Sequence, residues 1–168
     1  PPYGACLLGS INLTRFVTDP FGMAPGMDIA RLEERVRLAV RLLDDMIEVS
    51  RYPLPAQAKE ARAKRRIGLG ITGLADALIM CGLRYGAADS LAAAETWMRA
   101  VQNAAYAASA ELAAEKGTFP LYDTAKIKGR PNIRRLAPEV QGLIAKHGLR
   151  NGCLTSIAPT GTISLIAG

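Results

Sequence analysis

Two segments of the chain show the hydrophobic spacing of long amphipathic helices. From Asp28, a residue suited to cap a helix, apolar side chains recur at three- and four-residue intervals through Ile47, with charged residues on the other side. The second helix is predicted from Asp89 or Ser90 to Lys116. Its stripe consists of Leu91, Ala94, Met98, Val101, Ala105, Ala108 and Leu112. Because most of these side chains are small, we expect a closely packed neighbour.

Short apolar runs between these helices predict strands. Residues 5–8 and 11–13 are expected to be short buried extended pieces around a Gly-Ser pair, and residues 67–73 a buried strand whose glycines allow another backbone to approach. Residues 154–157 predict a further strand. Shorter helices are expected within residues 57–66, at 74–80 and at 137–146. The segments 18–27 and 118–136 are expected to be a connector and a basic loop.

Strands separated by long helical segments are typical of a parallel sheet or barrel, so the predicted fold class is α/β. Only three or four strands are available, and a parallel sheet this small would have open edges. The order of elements therefore favours a fragment of a larger α/β enzyme.

The amino-acid composition limits the class of protein and the cell compartment that the chain fits. With 168 residues, 49% hydrophobic and 21% charged, the chain fits a soluble globular domain, and it contains neither a membrane-length apolar run nor an export signal. Its cysteines, Cys6, Cys81 and Cys153, are an odd and widely spaced set, which favours a reducing cytoplasm. With a single histidine, His147, which is expected at a helix end, no metal site is expected.

The net charge of +6 is concentrated at residues 59–66 and 126–135. Such clusters attract phosphates, but neither contains the stacking aromatic residues of a single-strand binder. We interpret both as solvated faces and expect no direct binding of nucleic acid. The alternative, a nucleic-acid binder that uses residues 59–66, predicts a steep dependence of binding on salt.

The C-terminal segment carries the clearest candidate chemistry. A strand leading into Pro159-Thr160-Gly161-Thr162 can turn sharply and expose backbone N–H groups beside hydroxyls at a helix start, which is an arrangement that binds anions. It matches neither the Walker loop nor the dinucleotide fingerprint, and an ordinary turn remains the alternative. Cys6 lies in an apolar run, where an inert core thiol is the commoner role of a cysteine.

Three segments, residues 4–13, 65–76 and 147–164, resemble consecutive signature stretches of the large catalytic subunit of ribonucleotide reductase, in the order in which that family has them. The resemblance extends over essentially all 168 residues. The resemblance is strongest to the adenosylcobalamin-dependent class II enzymes, with which the chain shares the sequence motifs Gly-Ala-Cys and Ala-Pro-Thr-Gly-Thr-Ile-Ser. Class I enzymes have the same framework, so both classes remain open.

The resemblance implies a ten-stranded α/β barrel of two half-sheets, of which residues 1–168 form a part that lacks the N-terminal and C-terminal portions. It implies an oxidoreductase of deoxyribonucleotide biosynthesis that acts on a ribonucleoside diphosphate or triphosphate. A thiyl radical removes the ribose 3′-hydrogen, a glutamate handles the 3′-hydroxyl proton, and two further cysteines form a disulfide as the 2′-hydroxyl leaves as water. Adenosylcobalamin is the implied cofactor, a thioredoxin-type protein the implied reductant, and the rest of the chain the implied partner.

On this resemblance Cys6 is a reducing thiol whose partner lies outside the chain. The substrate phosphates are assigned to Pro159, Thr160, Gly161, Thr162 and Ile163, with Ser164 supporting the turn. The radical motif Asn-x-Cys-x-Glu is absent from the chain. The stretch that begins with Asn151 and contains Cys153 resembles it, but Thr155 stands in place of the glutamate. Cys153 is therefore interpreted as a packing residue.

We therefore predict that the chain alone is inactive and binds no cofactor. The alternative is a free-standing nucleotide- or phosphate-binding module without catalysis. An Asn-x-Cys-x-Glu segment directly upstream in the reading frame would favour the reductase.

Overall fold

The computed structural model describes residues 3–167. The strands are β1 (Leu7–Asn12), β2 (Val17–Thr18), β3 (Gly26–Met27), β4 (Arg66–Thr72) and β5 (Cys153–Thr155). The helices are α1 (Ile29–Val49), α2 (Pro55–Lys64), α3 (Leu74–Met80), α4 (Ala88–Lys116), α5 (Thr124–Lys128), α6 (Pro131–Arg134), α7 (Pro138–His147) and α8 (Gly161–Ala167), and a 3₁₀ turn follows β1.

The main sheet contains three parallel strands in the order β1-β4-β5. Each strand is reached through a helical segment, as parallel pairing requires, so the predicted α/β class is confirmed. The two pieces expected at 5–8 and 11–13 are wrong, because a single strand runs through Gly9 and Ser10. Pairing with β4 continues without interruption from Leu7–Ile67 to Asn12–Thr72.

The long helices α1 and α4 pack together on one face of this sheet. Asp28 caps α1 as predicted, since its carboxylate accepts a hydrogen bond from the N–H of Arg31 (3.0 Å). The alanine-rich face of α4 is buried against α1, and Arg37–Glu111 and Arg41–Glu115 ion pairs border the contact. Leu91 does not belong to the buried stripe, because 63% of it is exposed, whereas Trp97, six residues further along, is buried.

The opposite face, which we term the open face, carries Leu8, Gly68 and Gly70. A Cβ at Gly68 would lie 2.6 Å from the Leu8 side chain, whereas a Cβ at Gly9 would point to Leu43 of α1 (3.3 Å) on the helix side. The prediction that the glycines of β4 admit another backbone is confirmed. A Cβ at Gly70 would lie only 2.6 Å from the carbonyl oxygen of Ser156.

Within residues 3–167 the three strands do not close into a barrel, so the ten-stranded barrel implied by the resemblance is not observed. Both β1 and β5 have a free edge in this sheet. The connector at 18–27 contains the small antiparallel pair β2–β3, and the basic loop at 118–136 contains α5 and α6. Asp123 accounts for α5, because its carboxylate accepts hydrogen bonds from the N–H groups of Ala125 and Lys126.

Two burial expectations are wrong. Cys6 and Leu8 were expected to be buried, but both are exposed because they point to the open face. Arg65 was assigned to a solvated basic face, yet only 3% of it is exposed. Its guanidinium is paired with two carboxylates, which makes burial of the charge tolerable.

Candidate phosphate cradle and thiol site

The segment after β5 crosses the open face of the sheet. The strand was expected to continue to Ile157, but it ends at Thr155. The N–H of Ser156 still donates to the carbonyl of Leu69 (3.1 Å), after which the chain passes over the two glycines of β4. Because glycine leaves no side chain in the way, the backbone can leave the sheet here.

This crossing forms a cavity of about 310 Å³ on the open face. Its walls are Leu8, Gly9 and Ser10 from β1 and residues 158–163 from the crossing segment. Of the six residues assigned to phosphate binding, the five from Pro159 to Ile163 line this cavity, and Ser164 does not. We call this cavity the cradle.

The first turn of α8 forms part of the cradle wall. The N–H of Ser164 donates to the carbonyl of Thr160 (3.0 Å), and the Ser164 hydroxyl donates to the carbonyl of Gly161 (2.7 Å). The hydroxyl of Ser164 therefore supports the turn. The preceding N–H groups of a helix have no intrahelical acceptor, so Gly161, Thr162 and Ile163 can present theirs to an anion.

Two neighbouring residues shape this turn differently. Thr160 has a φ of 54°, in the left-handed region that β-branched residues rarely adopt. Gly161 has no such φ, and within residues 3–167 no atom lies within 4 Å of a Cβ built on it. The absence of a side chain at Gly161 is therefore not needed for packing, and it leaves the cradle open to a ligand.

Cys6 precedes β1 by one residue and lies on the side of the sheet that carries the cradle. Since alternate residues of a strand share a face, Cys6, Leu8 and Ser10 point the same way. Two residues along a strand span about 6.6 Å, so the thiol lies close to the Leu8 wall of the cradle. Partial burial and the nearby Cys153 raise the pKa of the Cys6 thiol, while Arg66 opposes this shift. The thiol form is favoured at neutral pH.

Cys153 is exposed and lies two strands away from Cys6. It is paired with Arg66, and the next residue of β4, Ile67, is paired with Leu7. Two strand spacings amount to about 9.6 Å, which exceeds the Cα separation of about 7 Å that a disulfide tolerates. The sheet therefore keeps these two thiols apart.

A buried polar cluster, which the sequence did not reveal, holds the beginning of β5. The side-chain amide of Asn151 donates to Asp44 (2.9 Å) and to the carbonyl of Arg65 (3.2 Å), and its oxygen accepts a hydrogen bond from Ser109 (2.9 Å). Arg65 donates to the same carboxylate (2.9 Å). The cluster fixes β5 beside β4, and thereby the origin of the crossing segment.

Residues 3–167 contain no grouping of three His, Cys, Asp or Glu side chains suited to a metal ion. His147 is the last residue of α7, as predicted. In the same part of the chain, none of the helices combines the length and the hydrophobicity that crossing a membrane requires.

Comparison with known proteins agrees with this arrangement. The family described as "Ribonucleotide reductase, barrel domain" matches residues 2–168. The chain is 44% identical to a vitamin B12-dependent ribonucleoside-diphosphate reductase of Mycobacterium tuberculosis, over 99% of this chain and 21% of that protein. It is 38% identical to the protein of the same name from Thermoplasma acidophilum, over 99% of this chain and 19% of that protein.

A ribonucleoside-diphosphate reductase subunit alpha of Chlamydia muridarum is 36% identical over 97% of this chain and 17% of that protein. The chain thus spans about a fifth of the length of the curated relatives it matches. With the family match extending over nearly all residues, the chain belongs to the ribonucleotide reductase barrel-domain family.

Proposed function

We propose that this chain forms part of the catalytic barrel of a ribonucleotide reductase, in which the cradle holds the substrate phosphates and Cys6 supplies reducing equivalents. The observation that carries the proposal is the position of Cys6. It lies next to β1, the strand that contributes Leu8, Gly9 and Ser10 to the cradle, and on the same side of the sheet. A nucleotide held there by its phosphates would have its sugar near a thiol.

The cradle suits a phosphate because its donors come from the backbone. The N–H groups at the start of α8 do not titrate, and they favour an anion through their combined dipoles. Charge-assisted bonds to such donors are each worth about 1.5–3 kcal/mol. The absence of a side chain at Gly161 gives the anion room to approach.

Cys6 acts in the reaction as one half of a dithiol. Two thiols lose two electrons and two protons in forming a disulfide, and the ribose accepts the reducing equivalents as its 2′-hydroxyl leaves as water. The raised pKa keeps the Cys6 proton on sulfur until it is needed. The second thiol of the pair and the radical cysteine belong to other parts of the full-length protein.

The full-length reductase is proposed to use adenosylcobalamin, which would supply the initiating radical, because relatives at 44% and 38% identity are named vitamin B12-dependent. Residues 3–167 contain no group of three potential metal ligands. We propose that other parts of the full-length protein hold the cofactor. We further propose a cytoplasmic location. We also propose that a thioredoxin-type protein reduces the disulfide formed by Cys6, since the free Cys6 thiol is exposed on the open face.

The full-length enzyme tests this proposal through Cys6→Ser. We expect substrate binding to be retained, while repeated turnover with an external dithiol or thioredoxin-type reductant is abolished. Cys81→Ser is the matched control, because Cys81 directly follows α3 and does not line the cradle, and it should turn over like the parent. Undiminished repeated turnover of Cys6→Ser would refute the assignment.

A further inference from the structure

A second cavity, of about 310 Å³, lies beside the N-terminal ends of β4 and β5 and is bordered by basic side chains. It is separate from the cradle: the two cavities have no lining residue in common. Its cationic groups are Lys64, Arg66, Lys126 and Arg130. We term it the basic cavity, and none of its residues is assigned to binding the substrate phosphates or to supplying reducing equivalents in the proposed reaction.

The cationic side chains of the basic cavity come from two separate segments of the chain. Lys64 ends α2 and Arg66 begins β4, whereas Lys126 lies in α5 and Arg130 follows that helix. Residues 119–130 are brought to the strand ends by the backbone, since the N–H of Leu121 donates to the carbonyl of Ala63 (3.2 Å). The cavity is therefore a product of the fold and not of one basic run in the sequence.

The carboxylates in contact with these groups do not balance the charge. Glu60 accepts from both Lys64 and Arg66, and Asp123 is paired with Lys126 (3.3 Å). Four cationic side chains thus face two carboxylates, which leaves two positive charges in excess. Among the described residues Arg130 has no ion-pair partner, and a guanidinium offers five donors in a planar fork.

Arg66 supplies an independent sign of an incomplete site. Its Nε is buried, and no hydrogen-bond acceptor reaches it among the described residues. An unpaired buried donor costs about 1–3 kcal/mol, so such groups usually have a partner. An anion in the basic cavity would provide acceptor oxygens for this guanidinium as well as for Arg130.

From this geometry we propose that the basic cavity binds a phosphate-bearing anion, at a site distinct from the substrate cradle. Phosphate oxygens match the planar donors of two arginines, and lysines add point charges. The volume suits a small ligand. The thiol of Cys153 lines the same cavity and is exposed, so it reports on occupancy.

The test uses the full-length reductase carrying Gly161→Val, so that the cradle does not contribute. Binding of radiolabelled inorganic pyrophosphate is measured by equilibrium dialysis at constant ionic strength, and ADP is tested in parallel. We expect one equivalent of pyrophosphate to bind, and Arg130→Gln to weaken binding by about tenfold or more through loss of a charge-assisted bond. The control Lys128→Gln, which removes a nearby charge outside the cavity lining, should leave binding unchanged.

Bound pyrophosphate should also slow alkylation of Cys153 but not of Cys81, as followed by peptide mass spectrometry. Tighter binding of ADP than of pyrophosphate would identify an organic phosphate as the ligand, and equal or weaker binding would identify a free phosphate. The proposal is overturned if pyrophosphate does not bind, or if Arg130→Gln and Lys128→Gln weaken binding equally. Neither result depends on the cradle, so failure here is distinguishable from failure of the proposed function.

Discussion

The carbonyl oxygen of Ser156 lies 2.6 Å from the position that a Cβ would occupy on Gly70. Real Cβ atoms do not approach a backbone oxygen so closely, so any larger residue at this position must displace the crossing segment. The walls of the cradle at 158–163 begin two residues later. The size of one residue in β4 therefore determines where the candidate phosphate site lies.

Gly70→Ala should move the crossing segment away from the sheet. We expect the substrate KM of the full-length reductase to rise by at least an order of magnitude, on the reasoning that about 1.4 kcal/mol of lost phosphate binding is tenfold. Steady-state kinetics and nucleotide binding measure this effect. Gly142→Ala is the control, because a Cβ at Gly142 meets no atom of residues 3–167 within 4 Å apart from the backbone of its own helix. An unchanged KM for Gly70→Ala would show that the crossing segment does not position the substrate.

Gly161→Val tests the anion side of the cradle. A Cβ here would meet no atom of residues 3–167 within 4 Å, so folding should be little affected, while the branched side chain of valine would crowd a bound phosphate. We expect a strong increase in substrate KM in the full-length enzyme. Gly142→Val serves as control, and far-ultraviolet circular dichroism confirms folding. If folded Gly161→Val bound nucleotide as tightly as the parent, the segment would be an ordinary turn.

The pH dependence of Cys6 alkylation should report its surroundings. Because its pKa is raised, the thiol persists to higher pH than an ordinary cysteine, and iodoacetamide should react at half-maximal rate only above the usual midpoint. Arg66 lowers this pKa, so Arg66→Gln should shift the midpoint further upward. Cys153 raises it, so Cys153→Ser should shift the midpoint downward. A midpoint that moved in the opposite direction in either variant would contradict the geometry.

The isolated chain should form no Cys6–Cys153 disulfide and should reduce no nucleotide. The strand between the two cysteines keeps them too far apart, and the radical cysteine, its glutamate and the partner thiol are absent from the sequence. Thiol titration should yield free Cys6, and chromatography should detect no deoxynucleotide with or without adenosylcobalamin. A stoichiometric Cys6–Cys153 bridge, or any product formed by the chain, would refute the respective expectation.

Asp44→Ala should destabilise the chain strongly. Asp44 is fully buried and accepts hydrogen bonds from Arg65 and Asn151, so its removal leaves a guanidinium that is 3% exposed with fewer acceptors. Breaking a buried ion pair costs about 3–5 kcal/mol. The neighbouring Asp45→Ala loses only a half-exposed pair with Lys116 and should cost less than about 1 kcal/mol. Urea denaturation measures the free energy of unfolding of both variants. Equal losses in the two variants would show that the buried cluster adds nothing to stability.

The periodic elements were predictable because their signals are local. The spacing of apolar residues and the Asp28 cap predicted α1, and the glycine-rich run predicted β4 with its close backbone contact. The burial of Arg65 was not predictable, since its partners Asp44 and Asn151 are brought to it by tertiary structure from 21 and 86 positions away. The exposure of Cys6 was missed for a similar reason: an apolar run does not show which side of a strand has a layer packed on it.

The cradle was predicted in its residues but not in its geometry. The turn chemistry from Pro159 to Thr162 is visible in the sequence, whereas the wall formed by Leu8, Gly9 and Ser10 comes from a strand roughly 150 residues earlier. The early end of β5 was also hidden, because it depends on the two glycines of β4 and not on Pro159.

The hydrogen bond from Asn151 to Asp44 joins residues 107 positions apart, and this separation has a consequence for synthesis on the ribosome. Until residue 151 has been made, the carboxylate of Asp44 lacks two of its donors, Asn151 and Arg150, and β4 has no neighbour on one side. Contacts of such long range form slowly, because the loop must close before they contribute. The nascent chain therefore carries an incomplete β1-β4-β5 sheet until β5 has been made, and we expect this part of the protein to complete its folding only after β5 emerges.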